Sequence, residues 1–145
     1  MIEVILWILL LVLLWIISIA FNDVEDSLAH HYKDSVFDWL PKHTWFSWYM
    51  MDPKETWTRK YVNGDPSQGR KKMFGLPIPA FMYDGWHGAK FIRQIFQYLT
   101  IYAGVHSGIE FNFWLGLVLF GISNNMVHSH YVYGGMLLKS WWTKK

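Results

Sequence analysis

Residues 4–21 form an apolar run of eighteen positions interrupted only by Ser18. Wound as an α-helix, such a run rises roughly 27 Å at 1.5 Å per residue, close to the hydrocarbon thickness of a bilayer. The run therefore predicts an N-terminal transmembrane helix. A cleaved signal peptide is the rival reading, because Ser18 and Ala20 present small residues in cleavage-site spacing just before the acidic stretch 22–26. No Lys or Arg precedes the run, however, and it exceeds a usual signal core, which favours an uncleaved anchor.

Two further apolar segments follow. Residues 91–105 carry Arg93, Gln94 and Gln97, but an apolar start at Pro79 allows a long helix. Residues 111–122 are apolar for twelve positions, and residues 123–127 extend them to a full crossing. Three crossings are expected. Lys and Arg number none before the first segment, nine in the connection 22–90, and three in the tail. The positive-inside rule then puts the N-terminus outside and both the connection and the C-terminus in the cytoplasm. Trp141 and Trp142, beside Lys139, Lys144 and Lys145, read as an interfacial anchor.

Composition supports a membrane setting. Ten Trp, eight Tyr and ten Phe are more aromatic surface than a core of 145 residues needs, and Trp and Tyr favour the membrane-water boundary. A net charge of +2, with equal numbers of acids and bases over 22–90, argues against nucleic acid. The absence of cysteine excludes disulfides, thiolate metal sites and cysteine nucleophiles.

Over residues 23–40, Val24, Leu28, Tyr32, Val36 and Leu40 recur every four positions, with Asp23 placed as a cap and Pro41 as a stop. This spacing predicts an amphipathic helix. The aromatic tract 45–51 is expected at the interface, and Asp52-Pro53 reads as cap and first turn of a short helix reaching about Tyr61. Asn63-Gly64-Asp65-Pro66 marks a turn, and Pro77 and Pro79 predict an extended approach to the second membrane segment.

Seven histidines carry the main hint of chemistry. His30, His31 and Asp34 fall within one helical turn, Asp84 and His87 lie three apart, and His128 and His130 follow the third apolar segment. If the hairpin packs beside the amphipathic helix, these imidazoles and carboxylates form a candidate donor set for zinc or iron. Neither His-Glu-x-x-His nor paired Glu-x-x-His motifs occur. The competing reading places the histidines with the other amphipathic rings of the interface, and makes Asp84 and His87 a hydrogen-bonded pair holding the helix entry. His87, Lys90, Gln94 and Gln97 also make one polar stripe, with Arg93 beside it, that is expected to avoid lipid. Asn112, Gly116 and Ser123 offer it a matching small-residue face.

The stretch 57–93 resembles a family of short, aromatic-rich membrane proteins of bacteria and their phages. Trp57-Thr58-Arg59-Lys60-Tyr61 and Asp84-Gly85-Trp86-His87 carry the likeness. The resemblance implies a prokaryotic or viral membrane setting and singles out Asp84, Trp86 and His87. It brings no activity with it, and His128-Ser129-His130 departs from the family pattern.

The expected fold is an all-α membrane protein: an N-terminal transmembrane anchor over 1–22, an amphipathic helix and aromatic, basic connection over 23–78, and a C-terminal transmembrane hairpin with interfacial tail over 79–145. The expected location is the cell membrane, crossed several times. Expected partners are the lipid bilayer and either further copies of the chain or another membrane protein. Assembly is the leading function. Its rivals are a membrane-embedded His/Asp metalloprotein with hydrolase or oxidoreductase chemistry, and a pore or lysis-type factor.

Overall fold

The structure is a computed structural model and describes residues 2–107, 137 and 139–143. Its longest element is α1, Ile2–His30. No Gly or Pro interrupts these residues. Once a helix is nucleated, each added residue contributes a hydrogen bond without a new nucleation cost. The helix consequently runs through the acidic stretch without a break. This corrects the expected helix start at Asp23: the residue is not a cap but fully buried inside α1, and no separate amphipathic helix spans 23–40. The helix stops where His31 turns to φ −131°, ψ 23°, and two short 3-10 turns follow, Tyr32–Asp34 and Val36–Trp39.

Short capped pieces make up the connection. Thr44 caps α2, Trp45–Tyr49, its hydroxyl accepting from the Ser47 amide at 3.1 Å. Asp52 caps α3, Pro53–Thr56, and a 3-10 turn, Trp57–Lys60, carries that helix to the expected end. At the expected turn Asn63 takes φ 53°, and the Asp65 carboxylate accepts from the Ser67 amide at 2.9 Å. One feature departs from an all-α fold: β1, Lys72–Met73, and β2, Leu76–Pro77, form a small antiparallel hairpin. Phe74 and Gly75 link the strands, both with positive φ, a geometry that matches the strand twist.

The second long element is α2's distant successor α4, Gly85–His106, preceded by a 3-10 turn over Ala80–Met82. It runs antiparallel to α1. Gly85 meets Leu28, Arg93 meets Asn22 and Glu25, and Gly104 meets Leu11. The facing stripes are small or polar: Ser18, Ile19, Asp23, Ser27 and Leu28 on α1, and Gly85, Gly88, Ala89 and Ala103 on α4. Small side chains let the two backbones approach closely.

Among the described residues, α1 is the one helix long and apolar enough to cross a membrane. Only 11% of its most apolar window is buried within the chain. The second apolar segment forms the helix α4, which does not reach that measure, and the third apolar segment, 111–122, lies outside the described residues. A last helix, α5, Lys139–Thr143, returns to the turns after α1. There Lys139 pairs with Asp38, and the Val36 amide donates to the Leu137 carbonyl at 2.8 Å.

Candidate functional site

The helix pair has a polar end, where the last turns of α1 meet the first turns of α4 and the aromatic connection. Asp84, 4% exposed, begins it. Its carboxylate caps α4 by accepting from the His87 amide at 2.9 Å and lies 2.8 Å from the His87 Nδ1. One buried carboxylate thus satisfies an orphan helix donor and orients an imidazole. The hydrogen-bonded pair expected at the helix entry is present.

The glycines beside it serve close approach. A Cβ at Gly85 would lie 2.3 Å from the Met50 sulfur and 3.1 Å from the Tyr49 carbonyl oxygen. At Gly88 it would lie 1.9 Å from the Tyr49 hydroxyl oxygen. The missing side chains make room for the end of α2, and Tyr49 crosses the site to donate its hydroxyl hydrogen to the Phe81 carbonyl at 2.5 Å. Burial raises the Tyr49 hydroxyl above its ordinary value, and the Asp84 carboxylate adds to that shift. Nearby, the Arg59 guanidinium stacks 4.2 Å from the Trp48 ring and donates to the Trp48 carbonyl. Burial lowers Arg59, opposed by the charges of Asp84 and Glu55.

One turn further along α4, Arg93 reaches across to α1. Its Nη1 donates to the Asn22 side-chain oxygen at 2.8 Å, and its Nε lies 3.2 Å from a Glu25 carboxylate oxygen. The latter is a charge contact whose angle falls short of a hydrogen bond. Beside it Asn22, Glu25, Asp26, Ala29, His30 and Trp86 line an open cavity of about 240 Å³. Lys90 sits 5.5 Å above the Trp86 ring.

The histidines among the described residues do not gather into a donor set. Among the described residues no three His, Asp or Glu side chains come together as a metal site. His30 is exposed and only 3.9 Å from Asp26, while His31 and Asp34 lie exposed beyond the end of α1. Asp84 and His87 form their own pair. His128 and His130 lie outside the described residues. The reason for the dispersal is the uninterrupted α1, which ends at His30 and throws His31 and Asp34 into the following turn.

Sequence reasoning also missed the Arg93 contact. The polar stripe on α4 was expected to avoid lipid, yet Gln94 is exposed, and Arg93 beside the stripe makes the cross-helix hydrogen bond to Asn22 and the charge contact with Glu25. Asn22 and Glu25, three apart, were the available signal. Comparison with known protein families, curated proteins and solved structures finds no match. The geometry alone carries the functional reading.

Proposed function

We propose that this chain is a small integral membrane protein that works by assembly, presenting the open faces of α1 and α4 to further membrane helices, its own or a partner's. The observation that carries this reading is the bare apolar surface of α1. Leu6, Leu9, Leu13 and Ile16 are each more than half exposed although α4 already covers one side of the helix. Such a surface needs lipid or other helices around it.

Connectivity supports more than one crossing. Gly104 near the end of α4 lies beside Leu11, far from the polar end, whereas Leu137 and Lys139 contact the turns after α1. With the basic connection and tail at one end, the N-terminus faces outward and the polar end faces the cytoplasm.

The test uses the absence of native cysteine. Single cysteines placed along α1 from Leu6 to Ile16 are oxidised in membranes at high lipid excess. Cross-links recurring every three or four positions, and persisting with chelator, are expected of a helix interface. Release of the chain by alkaline carbonate would reject the membrane reading; a monomer at every position that also purifies without a bound membrane protein would reject assembly.

A further inference from the structure

The hairpin between β1 and β2 carries two costs that the fold does not offset. Phe74 sits at φ 52°, a left-handed conformation that bulky residues rarely adopt, and its ring is 95% exposed. Asn, Asp or Gly suits that position of a two-residue hairpin turn. Beside it Leu76 is 72% exposed and Met73 47%. A strained backbone that holds an apolar ring in water is a feature whose reward lies outside the chain.

We infer that this hairpin is an interfacial wedge, with Phe74 and Leu76 entering the boundary of an anionic bilayer and the exposed Arg70 and Lys72 holding its headgroups. Two observations select lipid. First, the charge is complementary: no acid occurs between Asp65 and Asp84, while Arg70, Lys71 and Lys72 are consecutive at the base of the hairpin. Each basic residue at an anionic surface strengthens docking. Second, the strand exit runs back along α4. Phe81 stacks on Phe91 with ring centroids 4.2 Å apart, and Phe91 lies two positions from Arg93, opposite the end of the apolar run of α1. The hairpin base is therefore tied to the level at which the helix pair leaves the membrane. This inference rests on the membrane reading above.

The full chain carries an environment-sensitive fluorophore on Leu76→Cys, or on Leu10→Cys as the reference for α1, and is reconstituted in phosphatidylcholine vesicles with or without phosphatidylglycerol. Lipid-borne quenchers read depth. The expected result is a blue-shifted, lipid-quenched signal at position 76 that is stronger with phosphatidylglycerol. Phe74→Asn relieves the backbone strain and keeps the fold, yet is expected to weaken docking at least about tenfold. Replacing Arg70 and Lys72 by Gln weakens it about 30-fold. A quenched signal at position 10 with a water-like signal at 76 overturns the wedge alone. Water-like signals at both overturn the membrane reading. Docking that survives Phe74→Asn, that ignores lipid charge, or that is replaced by energy transfer between labelled copies also overturns the wedge.

Discussion

The two ends of the α1–α4 pair are built on opposite rules. At the N-terminal end of α1, Ile5, Leu9 and Leu13 point outward and any apolar side chain of similar size fits the requirement. At the other end Asp84, Gly85, Gly88, Tyr49, Arg93 and Glu25 each have an assigned neighbour. Apolarity sets where the pair resides; the polar contacts set which surfaces meet and in what register.

That contrast fixes a ranking of substitutions, read as thermal unfolding in detergent micelles. Gly88→Leu drives a side chain into the Tyr49 ring and is expected to cost about 3 kcal/mol, the upper end for overpacking. Arg93→Ala leaves the half-buried Glu25 carboxylate without its cation and is expected to cost about 2 kcal/mol, less than a fully buried pair because both side chains keep some water contact. A joint Glu25→Arg, Arg93→Glu exchange should recover part of that loss, and no recovery would show that Asn22 is the partner that matters. Tyr49→Phe removes the bond to the Phe81 carbonyl and is expected to cost about 1 kcal/mol. Leu9→Ala, at the apolar end, should change stability by less than about 0.5 kcal/mol. Equal effects at both ends would abolish the distinction.

Acidity sharpens it further. The Tyr49 proton is held more tightly in the folded chain than in the unfolded one. Its contribution is therefore complete below the ordinary tyrosine value of about 10 and is lost as pH rises through the raised value. From neutral pH, stability is expected to be level up to about pH 10 and to fall above it. Tyr49→Phe should reduce the fall without removing it, because burial raises Tyr83 in the same direction.

Local chemistry was the legible part of this molecule. Asp52-Pro53, the Asn63–Pro66 turn and the Asp84–His87 pair were readable because each acts within four residues of itself. The continuation of α1 through Asp23 was not, since a capping residue looks the same in sequence whether it starts a helix or is buried in one. Its burial depends on what lies beside it in space. Arg93 with Glu25 and Tyr49 with Gly88 join positions far apart in the chain, and no spacing rule connects them. The hairpin escaped notice because Phe74 is not the residue that its turn prefers.

The contact of Arg93 with Asn22 and Glu25 also has a meaning for biogenesis. On its own α4 is too polar to partition as a membrane helix, with Lys90, Arg93 and Gln94 in its first half and Gln97 just beyond. Docked on α1 in this register, its Arg93 meets Asn22 and Glu25, so the charged turns of the two helices lie side by side, and under the membrane proposal above they share one height. Under the same proposal α1 inserts first and acts as a template for the second helix. A chain lacking residues 1–22 would then make α4 without a place to put it, and synthesis order becomes part of how this protein reaches its fold.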